Sequence, residues 1–241
     1  MKISSFKIYE VKPRWIFIKI ITDEGIEGWG EMISGAKTET VTACANEMCK
    51  KLLGRDPFDI EALWQELYRS FFRGGPVNMT VISGIETALW DIKGKYYNMP
   101  VYEFFFFFVR DKLKVYSWIG GDRPNNVAEE AKQRFDQGFT AVKMNATEEL
   151  HYIDSYEKVD QVLERMNSIK ELLGNKIQVG IDFHGRVHKP MAKILIKELE
   201  PFRPMFIEEP VLPENWDAII DTAKNSPIPI ATGERLSTRW E

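Results

Sequence analysis

The sequence predicts an α/β protein in two parts: an N-terminal α+β domain over residues 1–112, then a series of strand–helix units over residues 113–241. Three observations carry this reading. The first 31 residues alternate like paired strands and then give way to helical periodicity. From residue 113, short apolar runs and polar helical stretches take turns. Three of those runs end in a carboxylate, at Asp182, Glu208 and Glu234, each 26 residues from the next.

The N-terminal strands are ISSFKIYEV, WIFIKIIT and IEGWGE, and the turn Asp23-Glu24-Gly25 joins the last two as an antiparallel hairpin. A helix follows over residues 38–53 and stops at Gly54, which suits a helix end. Asp59 is placed to cap a second helix. A third, over residues 78–97, carries Val81, Ile82, Ile85, Leu89 and Ile92 at helical spacing. A unit of this length is an ordinary domain.

In the second part, LKVYSWI, FTAVKMN, IQVGIDFH, MFIEEP and IPIATGE read as five strands. Helices at 126–137, through about 173, at 190–200 and at 214–225 make four crossovers between them. Such units are right-handed and build a parallel sheet. VGI, MFI and IPI lack polar alternation, as expected of strands covered on both faces. An eight-stranded barrel needs about 250 residues. The sheet is therefore either open or the front part of a longer barrel.

Composition narrows the function classes. Of 241 residues, 44% are hydrophobic and 28% charged, as in an ordinary soluble domain. A net charge of −4 with no basic stripe argues against nucleic acid as a partner. The longest apolar run, FFFFFV at 104–109, is too short to span a bilayer, and MKISSFKIYEVK has no signal-peptide core. Cys44 and Cys49 lie five apart in a helix, a poor spacing for a disulfide or zinc site. They read as structural thiols in a reducing cytoplasm.

In parallel α/β folds, functional groups gather at the C-terminal strand ends. Asp182, Glu208 and Glu234 fall there, and three carboxylates from successive strands suit one hard divalent cation such as Mg²⁺. His184 stands two residues after Asp182. If the strand persists, the two side chains point the same way, which makes His184 a candidate proton donor. Lys143 and Asn145 end the preceding strand with the same offset and are candidates to orient a substrate carboxylate or hydroxyl. His151 and His188 lack such context and read as structural.

The strand-end series VKMN, GIDFHGR, FIEEPV and ATGER resembles the enolase superfamily, in its mandelate racemase/muconate lactonizing enzyme branch. RWIFIKIITDEGIEGWGE, LYRSFFRGGP, ALWDIKGK, VYSWIGGDRP and KILIKELEPFRPMFIEEPV bring it closer to the galactonate and related acid-sugar dehydratases of that branch. The resemblance implies an α+β capping domain followed by a modified (β/α)₇β TIM-like barrel, of which this chain holds about the first five strands. It implies Mg²⁺ on Asp182, Glu208 and Glu234, with Glu209 a supporting residue. The implied reaction is dehydration of an aldonate, foremost D-galactonate to 2-dehydro-3-deoxy-D-galactonate and water, through a metal-stabilised enediolate. His184 would protonate the departing 3-hydroxyl. Arg14 and Trp15, with the segment Arg73-Gly74-Gly75-Pro76, resemble loops that close over the substrate. The implied setting is a cytoplasmic homo-oligomer with a small acid sugar as its partner.

Racemases of the branch often carry Lys-x-Lys where this chain has Lys143-Met144-Asn145, so their second lysine base is absent and a racemase or epimerase is disfavoured. The resemblance also places the general base, a histidine supported by an aspartate, on strands beyond residue 241. On that expectation the chain is truncated, and a third reading is a non-catalytic metal-binding or assembly protein. Phe104 to Phe108 replace a segment that runs into a Gly-Gly turn in relatives. A partly exposed cluster, a partner surface and a corrupted segment are the alternatives there.

Overall fold

The computed structural model describes residues 1–33, 35–70, 74–105, 108–120 and 126–241. It divides into two compact units, Met1–Asp111 with Leu236–Glu241, and Lys112–Arg235. The last six residues thus pack with the first unit, whereas the sequence reading assigns them to the second.

In the first unit, β1 (Ile3–Val11), β2 (Trp15–Thr22) and β3 (Glu27–Glu31) form an antiparallel sheet in that order. Along β2, Ile16, Ile18, Ile20 and Thr22 are buried while the alternate residues face outward, as the two-residue strand period requires. The hairpin at Asp23-Glu24-Gly25 closes with Gly25 at φ +81 and its N–H donating to the Thr22 carbonyl at 3.1 Å. Three helices cover the buried face: α1 (Thr38–Lys50), α2 (Ile60–Arg69) and α3 (Pro76–Tyr97). Asp59 takes the N-cap position of α2, but its side chain makes no capping bond. Its carbonyl accepts from Leu63 N–H instead.

The glycines of IEGWGE explain how α3 lies on β3. A Cβ added at Gly28 would sit 2.0 Å from the Ala88 carbonyl oxygen, and one at Gly30 would sit 1.9 Å from that of Gly84. The backbones touch where side chains would otherwise hold them apart. Beyond α3, Phe104 and Phe105 stack loosely on Trp90, and Phe105 and Phe108 remain exposed. Phe106, Phe107, Arg73 and the GDRP of VYSWIGGDRP lie outside the described residues.

The second unit alternates as expected: β4 (Ser117–Trp118), α4 (Val127–Asp136), β5 (Ala141–Asn145), α5 (Tyr156–Leu173), β6 (Gln178–Asp182), α6 (Lys189–Leu199), β7 (Phe206–Glu208), α7 (Trp216–Asn225) and β8 (Ile230–Ala231). All four neighbouring pairs are parallel, in the order β4-β5-β6-β7-β8. The first unit is thus an α+β module and the second a five-stranded parallel series of the barrel-like kind. Val142, Met144, Val179, Ile181 and Ile207 join the α5 residues Val159, Val162, Met166 and Ile169 in one core. Burying such aliphatic side chains stabilises by about 1.5–3 kcal/mol each.

The first strand is shorter than LKVYSWI suggests. β5 begins at Ala141, opposite Tyr116, so residues before Tyr116 have no ladder to join, and Leu113, Val115 and Tyr116 are exposed. Among the described residues, no helix is long and apolar enough to cross a membrane.

Candidate active site

The parallel register lines up the strand ends. Asn145 pairs with Asp182 across β5 and β6, and Asp182 pairs with Glu208 across β6 and β7. Neighbouring strands run about 4.8 Å apart, so these side chains form one row. Lys143, two residues before Asn145 and on the same face, is in register with Trp118 on one side and Gly180 on the other.

Lys143 reaches along its strand into that row. Its Nζ lies 2.8 Å from Asp182 Oδ2 and 2.6 Å from Glu208 Oε2, and also sits over the Trp118 ring at 5.7 Å. Asp182 is fully buried and Lys143 nearly so. Burial works against the ammonium's charge, but the hydrogen bonds to Asp182 and Glu208 outweigh it and hold the Lys143 pKa above the ordinary lysine value.

The other oxygen of Asp182 serves the loop after β6. Its Oδ1 accepts the His184 backbone N–H at 2.7 Å. The strand does not persist to His184, which corrects the expectation that strand alternation aligns the two side chains. β6 ends at Asp182, and His184 has φ +49 with Gly185 at φ +62. Arg186 N–H donates back to the Phe183 carbonyl at 2.8 Å. Two central residues at positive φ within that bond have the form of a type I′ turn. Histidine enters the left-handed region more readily than most residues. The turn still delivers the imidazole to the row: Nε2 lies 3.5 Å from Asp182 Oδ2, and the ring meets Trp118 edge-on at 6.2 Å. His184 Nδ1 is buried with no hydrogen-bond partner among the described residues.

Glu208 and Glu209 separate at the end of β7. Glu209 is fully buried at φ +43, with its N–H on the Ala231 carbonyl and its carbonyl receiving Gly185 N–H. Its Oε2 accepts Arg235 Nε at 2.8 Å, and Arg235 Nη2 donates to the His184 carbonyl at 2.9 Å. Burial pushes the Glu209 carboxyl upward, and Arg235 offsets only part of that push. Glu209 therefore fastens the loops after β6 and β8, while Glu208 faces Lys143.

The remaining candidates lie elsewhere. Glu234 is exposed in the turn after β8. Among the described residues, no group of three or more His, Cys, Asp and Glu side chains gathers as a metal cluster. Arg14 and Trp15 belong to the first unit, Arg14 exposed in the turn after β1 and Trp15 opening β2 at 38% exposure. The row thus brings together Lys143, Asn145, Asp182, His184 and Glu208. Sequence reasoning missed Trp118 and Arg235. Arg235 was findable from its place beside Glu234 in GER, and Trp118 from its position at the end of the preceding strand.

An antiparallel α+β unit in the same chain as a parallel sheet whose strand ends present a row of carboxylates with a lysine and a histidine defines an α+β plus α/β-barrel class of protein. Residues 8–105 match the family described as mandelate racemase/muconate lactonizing enzyme, N-terminal domain, and residues 126–241 match that described as enolase C-terminal domain-like. The chain belongs to the enolase superfamily, in its mandelate racemase/muconate lactonizing enzyme family.

A D-galactonate dehydratase from Pectobacterium atrosepticum is 50% identical over 242 residues, covering 100% of this chain and 63% of that protein. The chain therefore spans less than two thirds of that relative's length. Two crystal structures are similar over nearly all of this chain. A candidate dehydratase from Zymomonas mobilis ZM4 has a TM-score of 0.92 at 30% identity, covering 99% of this chain and 69% of that one. An enolase superfamily member from Salmonella Typhimurium has a TM-score of 0.91 at 27% identity, covering 99% and 69%.

Proposed function

We propose that this protein is a Mg²⁺-dependent acid-sugar dehydratase that takes D-galactonate to 2-dehydro-3-deoxy-D-galactonate and water. The observation that carries the reading is the convergence of Asp182 Oδ2 and Glu208 Oε2 on one cationic atom, beside His184. Oxygen donors that already meet on a positive charge suit a hard divalent cation. Asp182 and Glu208 would hold it, with Glu234 as the third ligand that the even spacing supplies. When bound, Mg²⁺ would supply Lewis-acid stabilisation of the negative charge that grows on the substrate carboxylate as the α-proton passes to a general base outside this row.

The chain's own residues divide the other tasks. His184 donates a proton from its imidazole to the departing 3-hydroxyl, so that water leaves instead of hydroxide. Lys143 contributes a positive charge to the substrate carboxylate. Asn145 offers an amide, which can hydrogen-bond a hydroxyl but has no useful proton affinity as a base. That choice favours elimination over two-base racemisation. The resemblance also makes Arg14 and Trp15 candidate substrate-contacting residues. The two free thiols, Cys44 and Cys49, fit a reducing cytoplasm, and the family resemblance implies a homo-oligomer.

The test is product formation by the full-length protein with D-galactonate and Mg²⁺, read as a 2-keto-3-deoxy acid. Absence of keto acid from D-galactonate and a panel of other aldonates would sink the proposal. Deuterium uptake at the α-carbon without elimination would replace it with a racemase or epimerase.

A further inference from the structure

The geometry points to Lys143 as an exchangeable counterion: its ammonium holds Asp182 and Glu208 together when no metal is bound, and a divalent cation enters by displacing it. This rests on the proposed metal site and adds to it a competitor supplied by the protein itself.

Both ion pairs end on one atom, with Nζ at 2.8 Å from Asp182 Oδ2 and 2.6 Å from Glu208 Oε2. These are the oxygens that face the row, because Asp182 Oδ1 is already taken by the His184 backbone N–H. A metal ion and an ammonium cannot share that position, and like charges at such range repel strongly where water is excluded. Without a counterion, the Asp182 and Glu208 charges would stand side by side on adjacent strands, and Asp182 is fully buried. Lys143 neutralises one of the two charges and keeps the oxygens converged.

Lys143 also has somewhere to go. Its four-carbon stem is flexible, and the ring centroid of Trp118, a residue 38% exposed, lies 5.7 Å from Nζ. Retraction along that ring keeps the existing cation–π contact and exchanges the two charge-assisted bonds for water.

The experiment compares wild type with Lys143→Met in the full-length protein. Mg²⁺ and Mn²⁺ affinity are measured by calorimetric titration, and thermal unfolding is measured with and without saturating metal. Exchange predicts roughly fivefold or greater tightening of metal binding in the variant, the low end of typical coupling between two ligands. It also predicts a lower Tm for the metal-free variant and a Tm restored towards wild type once metal saturates. Lys143→Gln, which keeps a polar side chain of similar reach, gives the same pattern if Lys143→Met folds poorly.

Unchanged metal-free Tm would mean that Lys143 is a bystander. A lowered metal-free Tm with unchanged or weaker metal affinity would mean that the ammonium stays in the loaded site. Either overturns the exchange while leaving the metal site standing. Failure of both proteins to bind metal overturns the metal site itself and the exchange with it.

Discussion

Arg235 Nε lies 2.8 Å from Glu209 Oε2, and the same guanidinium donates to the His184 carbonyl at 2.9 Å. One arginine therefore satisfies a buried carboxylate and anchors the turn that carries the imidazole.

Removing that arginine strands the carboxylate. Arg235→Met is expected to cost about 2–4 kcal/mol in denaturant unfolding near neutral pH, since it leaves a buried charge uncompensated. Burial already raises the Glu209 pKa above the ordinary value. A carboxyl with a raised folded-state pKa binds its proton more tightly when folded, so its burden on stability grows as pH rises through that value. The deficit of Arg235→Met should therefore shrink as pH falls towards the ordinary Glu value of about 4.3. A deficit that is constant with pH would show that Glu209 does not carry it.

The close approach of β3 and α3 leaves no room for a methyl group. At Gly30 an added Cβ would lie 1.9 Å from the Gly84 carbonyl oxygen, which is backbone and cannot rotate away. Gly30→Ala should destabilise by about 3 kcal/mol or more. Gly35→Ala, where an added Cβ meets nothing within 4 Å, should stay within about 0.5 kcal/mol of wild type. Comparable unfolding midpoints for the two variants would contradict this packing.

Cys49 should be inert in the folded protein. Its thiol is buried on α1, and burial pushes its pKa up to about 12. The thiolate is the reactive form, so a thiol reagent at mildly alkaline pH should leave Cys49 unmodified until denaturant is added. Cys44, half-buried and donating to Asn78 Oδ1 at 3.2 Å, is also raised by burial and should react slowly. Peptide mapping after timed labelling separates the two. Rapid native labelling of Cys49 would contradict the α1 packing.

Acid should weaken the α6–α7 contact through Asp221. Its carboxylate pairs with Lys189 at 3.0 Å and Lys193 at 3.1 Å, and the hydrogen bonds to them hold its pKa below the ordinary value. A depressed folded-state pKa gives stability that is present above the ordinary Asp value of about 3.9 and is lost as pH falls through the folded-state value. Asp221→Asn should remove that part of the acid dependence. Identical acid unfolding curves would argue against it.

At His184 the backbone and the chemistry can be separated. Asn tolerates the left-handed region, so His184→Asn should keep the turn while losing the proposed proton donor. Dehydration should fall about 10²–10⁴-fold, the usual worth of a general acid, with little change in Tm. Undiminished turnover would remove His184 from the acid role.

Much of this organisation was legible from residue patterns because it depends on periodicity. Ile16, Ile18 and Ile20 alternate into one core, and Val179, Ile181 and Ile207 of VGI and MFI join the core of the second unit, although Met205 and Phe206 are only partly buried, so cover on both faces holds only in part. Strand ends at Asp182 and Glu208 were legible for the same reason. What was not legible is set by partners. β4 stays short because β5, which begins at Ala141, offers at most one residue beyond the partners of Ser117 and Trp118 on that side. His184 meets Asp182 through a positive-φ turn, which a strand period cannot foresee. Glu209 and Arg235 join across 26 residues of chain, and only the folded backbone brings them together.

The one-to-one register Asn145–Asp182–Glu208 works as a ruler laid across the strands. An extra residue in any crossover, such as the stretch between Leu199 and Phe206, changes a loop and leaves the row intact. The same insertion inside β6 or β7 turns every later side chain of that strand to the opposite face. It would send a carboxylate into the helix-facing core and an aliphatic residue into the row. Length variation in this protein should therefore be tolerated between strands and refused within them.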